Sequence, residues 1–76
     1  MDAAVARFAR NLAAARRRAD LTQEELSDLS GVHPTEVSRI EHGRRDVRIS
    51  TVARLAQALG LTPGQLVDGP GEAGQG

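Results

Sequence analysis

Three short segments of this chain share one frame, and each frame marks a helix start. In Leu21-Thr22-Gln23-Glu24-Glu25-Leu26, Thr22 offers an N-cap hydroxyl and Glu25 a carboxylate that folds back on the cap, while Leu21 and Leu26 close a hydrophobic staple around them. Val32-His33-Pro34-Thr35-Glu36-Val37 repeats the frame, with His33 as a less usual cap, Pro34 at the first helical position and Glu36 in the folding-back place. Leu61-Thr62-Pro63-Gly64-Gln65-Leu66 repeats it once more, with Gln65 for the carboxylate. Two further helices follow from periodicity. Val5, Phe8, Leu12 and Ala15 recur at steps of three and four, as do Val52, Leu55, Ala56 and Leu59 ahead of a terminating Gly60. The expectation is an all-α chain of five short helices.

The first two caps, Thr22 and His33, stand eleven residues apart. A helix running from the first cap to about Ser30 leaves Gly31 to take a left-handed conformation, and the chain turns at once into the next helix. That is the geometry of a helix-turn-helix. Leu26 and Leu29 are then expected to face Val37 and Ile40, which turns Pro34, Thr35, Ser38 and Arg39 outward. In a DNA-binding helix-turn-helix this outward face enters the major groove.

Composition narrows the function. The chain has 76 residues, ten arginines, no lysine, ten acidic side chains, no cysteine and one aromatic. That length suits one small domain burying only about 60% of its unfolded surface. Disulfides and cysteine–zinc sites are excluded, and no apolar run reaches the roughly 18 residues of a membrane span, so the expected setting is cytoplasmic. The tail 69–76 is glycine-rich without an anchoring side chain and is expected to be disordered, leaving 1–68 as the domain. His33 and His42 lack the thiols or carboxylates that would complete a metal site, and no Ser–His–acid set is assembled. Neither an enzyme, a cofactor, a metal nor a small-molecule ligand is expected. The zero net charge conceals alternating blocks: +4 over residues 1–19, −5 over 20–38, +3 over 39–54 and −2 beyond. A polyanionic partner is therefore compatible with the balance, although attraction to random DNA should be weak.

The run Leu21-Thr-Gln-Glu-Glu-Leu, Ser30-Gly-Val, Val37-Ser-Arg-Ile-Glu-His-Gly-Arg-Arg and Leu55-Ala-Gln-Ala-Leu-Gly-Leu resembles the Cro/repressor (XRE-type) helix-turn-helix family over roughly residues 5–68. The resemblance implies a lambda-repressor-like fold and a sequence-specific transcriptional regulator of double-stranded DNA. By that resemblance Pro34, Thr35, Ser38 and Arg39 match base-facing positions, with Arg39 reading a guanine. Gln23, His33, His42, Arg44 and Arg45 match positions near the phosphates. Arg16 and Glu41 match a structural salt bridge. Glu24 and Asp28 are expected to face solvent away from DNA or to weaken binding. Asp20 stands where a helix-ending glycine is common, Ala15 where leucine is usual and Val47 where proline is frequent. Surplus apolar residues Leu61, Leu66 and Val67 suggest a homodimer interface, which imposes a pseudo-palindromic operator. The type implied is a phage repressor or restriction–modification controller. The alternatives are an antitoxin, which would also bind a toxin protein, and an adaptor that kept the fold.

Overall fold

In a computed structural model describing residues 2–69, the chain forms α1 (Ala3–Arg18), α2 (Gln23–Ser30), α3 (Pro34–Glu41), α4 (Ile49–Ala58) and α5 (Pro63–Asp68), with no strand among the described residues. Each start has a local cause. Asp2 Oδ1 accepts the Ala4 N–H at 2.7 Å and opens α1. Thr22 and Glu25 form a reciprocal capping box at α2, as Thr62 and Gln65 do at α5. At α3 the cap is the His33 ring, whose Nδ1 accepts the Thr35 N–H at 3.2 Å.

The helix ends are as specific as the starts. After α3, the Arg44 N–H reaches the Arg39 carbonyl and the Gly43 N–H that of Ile40, the bond pair of a Schellman motif. After α4, Leu61 and Gly60 bond Ala56 and Gln57 in the same way. After α1, Leu21 and Asp20 bond Arg16 and Arg17, and Asp20 takes the left-handed position with φ 61°. A β-carbon there is strained against its own carbonyl. Asp20→Gly is therefore expected to stabilise the domain by about 1 kcal/mol and raise Tm by about 4–8 °C in a thermal melt followed by circular dichroism. No rise would show that the aspartate is held by something besides its backbone. The turn between α2 and α3 is built differently. Gly31, at φ 76°, ends α2, and the buried Ser30 hydroxyl accepts the Val32 N–H at 3.1 Å.

The core gathers one face from every helix: Phe8, Leu12 and Ala15 of α1, Leu26 of α2, Val37 and Ile40 of α3, Leu55 and Ala56 of α4, and Leu66 of α5, with Val32 from the turn. Leu12, Leu26, Val37 and Leu55 are fully covered. Val47 packs against this core from the loop. Leu29 does not join it. It is 61% exposed, because α2 buries the side that carries Leu26, Ser27 and Ser30 and leaves Leu29 at its edge. α5 has only six residues, and α1 completes its end. Arg7 Nη2 and Asn11 Nδ2 each donate at 2.8 Å to the carbonyls of Asp68 and Val67, which no helical N–H would otherwise reach. Gly69, assigned from sequence to the tail, instead caps α5 by donating its N–H to Gln65 and is buried. The rest of the tail lies outside the described residues.

Candidate nucleic-acid interface

α3 is fixed along one side and at both ends. Val37 and Ile40 bury its inner face, His33 caps its start and the Gly43–Arg44 turn closes its end. The outer face carries Pro34, Thr35 and Arg39, all exposed, and the half-buried Ser38. Eight residues at 1.5 Å each give a ridge of about 12 Å, comparable to the width of the DNA major groove.

The last residue of α3 anchors it to two other helices. Glu41 sits where the helix dipole disfavours an acid, yet its side chain is only 6% exposed. Arg16 of α1 offsets this, donating from Nε to Oε2 at 2.7 Å and from Nη2 to Oε1 at 3.1 Å. Arg16 Nη1 also donates to the Leu21 carbonyl at 2.8 Å, and Gln23 Nε2 donates to Glu41 Oε1 at 2.9 Å. The hydrogen bond to Glu41 holds the Arg16 guanidinium above its ordinary range although burial opposes this. Gln23, matched in sequence to a phosphate position, thus commits one amide hydrogen inside the protein. Its second amide hydrogen remains, as do the backbone N–H groups of Gln23 and Glu24, since Thr22 takes only that of Glu25.

The two histidines use Nδ1 in opposite ways. His33 Nδ1 accepts the Thr35 N–H, whereas His42 Nδ1 lies 2.7 Å from the Ser38 carbonyl and donates to it. His42, Arg44 and Arg45 border an open depression of about 610 Å³ that faces Asp2 and Val5 at the start of α1. Arg44, Arg45 and Arg48 are all exposed, but they are not equivalent. Arg45 Nε lies 3.6 Å from Glu36 Oε1, while Arg44 and Arg48 make no ion pair among the described residues. Glu36 was expected to fold back on the His33 cap. It turns to Arg45 instead, because a cationic partner arrives from the loop. Neither this pairing nor that of Gln23 with Glu41 has a local sequence signal, since the partners are nine and eighteen residues apart.

The expected dimer residues are placed less favourably. Leu66 is 1% exposed inside its own core and is not available to a second copy. The hydrophobic staple of the α5 capping frame turns it inward. Leu61 packs partly against the same core, and Val67 is 46% exposed. Glu24 and Asp28 face solvent. Among the described residues no cluster of His, Asp or Glu is arranged to hold a metal ion, and no helix is long and apolar enough to cross a membrane.

A helix-turn-helix family model matches residues 12–66. An HTH-type transcriptional regulator, y4dJ, from Sinorhizobium fredii is 44% identical over 57 residues, spanning 75% of this chain and 74% of that protein. The control protein C.SmaI from Serratia marcescens is 35% identical over 60 residues, spanning 79% of this chain and 71% of that protein. Among solved structures, the restriction–modification controller protein C.AhdI from Aeromonas hydrophila superposes with a TM-score of 0.82 at 34% identity, covering 86% of this chain and 98% of that one. By these names the relatives are regulators and control proteins.

Proposed function

The chain belongs to the Cro/repressor-type helix-turn-helix family of transcriptional regulators, and we propose that it binds a pseudo-palindromic DNA operator as a cytoplasmic homodimer. The observation that carries this reading is the anchored α3 ridge, whose exposed Thr35 and Arg39 and half-buried Ser38 lie between the His33 cap and Arg44. Arg39 reads a guanine through O6 and N7, Thr35 and Ser38 donate to or accept from base edges, and Pro34 offers apolar contact to a thymine methyl. Gln23 with the start of α2, His33, His42, Arg44 and Arg45 position the helix on phosphates. Val67 and the exposed part of Leu61 form the dimer face, setting the two α3 helices about 34 Å apart. Likeness to two controller proteins favours a regulator of the restriction–modification controller type.

Selection from a random duplex pool tests the reading as a whole. The expected product is two copies of one half-site in inverted orientation. A single half-site would remove the dimer, and no enrichment would remove sequence-specific binding. On any enriched duplex, Arg44→Ala is expected to weaken binding and reduce the salt slope by about one per protomer, as the loss of one phosphate contact does.

A further inference from the structure

Glu36 is an acid on the helix read here as entering the groove, and the capping role that would account for it is not filled. Its carboxylate instead meets Arg45 at 3.6 Å, with the two side chains 32% and 47% exposed. One turn along the same helix lies Arg39, so the pair flanks the reading face. Beside it opens a cleft of about 320 Å³ lined by Glu36, Arg45, Asp46, Arg48 and Thr51, which gives solvent, and any phosphate oxygen, access to the guanidinium.

We propose that Glu36 masks Arg45 and thereby holds down binding to random DNA; the proposal rests on the DNA-binding reading above. A phosphate reaching Arg45 must displace a carboxylate already there, and the displaced carboxylate is left facing the negative strand. Both effects are independent of base sequence, so they subtract from the part of affinity that arises from phosphate contacts and counterion release. An exposed ion pair of this kind adds little to fold stability, so holding Arg45 is a role it can serve without being needed by the core. Arg44, one residue earlier and without an ionic partner among the described residues, is the unmasked counterpart. A net charge of zero already limits random binding, and the mask removes one more positive contact from the surface nearest the DNA.

The test uses the full chain, a mixed-sequence duplex of about 24 bp and fluorescence anisotropy across a salt series starting near 50 mM. Glu36→Gln is expected to bind about 3–10-fold more tightly at the lowest salt, with a slope steeper by about one per protomer. Asp28→Asn makes the same charge change on α2, away from its start and with no ion pair among the described residues, and is expected to shift affinity by less than about twofold. The ion pair itself is read from a third comparison. Arg45→Gln should weaken mixed-duplex binding less in the parent chain than in the Glu36→Gln background, where it should abolish most of the gain. Equal gains from Glu36→Gln and Asp28→Asn would reduce the effect to net charge and overturn the mask. So would an Arg45→Gln loss of the same size in both backgrounds. Absence of duplex binding by the parent chain and every variant would overturn the DNA-binding reading itself, and the mask with it. Thermal melts of each variant, expected to overlay, separate these results from misfolding.

Discussion

Arg16→Ala is expected to destabilise the domain by about 3–5 kcal/mol, because it strands the Glu41 carboxylate in a site where only 6% of the side chain meets water. A chain of this length holds roughly 4–11 kcal/mol in all, so the change removes a large share and leaves a measurable unfolded fraction at room temperature. Urea unfolding followed by circular dichroism should show the midpoint falling by more than about 1 M. The comparison that assigns the cause is Arg16→Met with Glu41→Leu, which removes both charges at similar volume. It is expected to recover most of the loss, since an apolar pair no longer has a charge to desolvate. If the single change costs under about 1 kcal/mol, Glu41 behaves as an exposed acid and the network is a surface pair. The linkage has a definite sign. The folded Arg16 titrates above its unfolded counterpart, so the stability it contributes is complete below the ordinary arginine range and lost only as pH rises through the raised value. Alkaline titration of this residue therefore leaves the fold unaffected at any pH near neutrality. The charge-free double variant should nevertheless bind DNA less well, because Glu41 also receives Gln23 and so fixes the end of α3 against the start of α2.

This division between local and distant partners explains how much of the molecule was legible in the sequence. The boxes at Thr22–Glu25 and Thr62–Gln65 close within four residues, and the left-handed turn at Gly31 needs only its neighbours. Five helices and their order follow from such signals together with apolar periodicity. The outward placement of Thr35 and Arg39 follows once Val37 and Ile40 are recognised as core. The frame fails where a competitor comes from outside it. Glu36 has the spacing of a capping residue, but Arg45 claims the carboxylate that would return to the His33 N–H. Leu29 has the spacing of a core leucine, but α2 buries the side that carries Leu26, Ser27 and Ser30, and Leu29 stays at its edge. Leu66 was read as surplus because a staple and a core position look alike in one dimension. Asp20 shows the reverse case, where an unfavourable residue still adopts the conformation that the bonds to Arg16 and Arg17 require.

Arg39→Ala is expected to cost about 1–3 kcal/mol at one or two base pairs of the selected site, roughly a 5–150-fold loss of affinity for that sequence. The side chain is exposed on the outer face of α3, and Arg39 takes part in the fold through its carbonyl, which accepts the Arg44 N–H whatever the side chain is. Stability should therefore stay within about 0.5 kcal/mol of the parent, and the loss can be read as a binding effect. Its signature is discrimination. A duplex carrying the wrong base at the contacted position should bind parent and variant alike, whereas the preferred duplex should bind the variant no better than the mismatched one. Arg39→Lys retains the charge but not the planar fork that spans O6 and N7, so it should restore salt dependence without restoring base preference. A uniform loss across all duplexes, rescued by lysine, would instead make Arg39 a phosphate contact and move the reading to Thr35 and Ser38. The effect should be large here for a reason that lies in the charge balance. With ten acids against ten arginines, and one loop arginine paired to Glu36, little sequence-independent attraction remains to compensate for a lost base contact. Discrimination must then rest on a few placed side chains, and removing the only arginine on the outer face of α3 should bring the operator complex close to the affinity of random DNA.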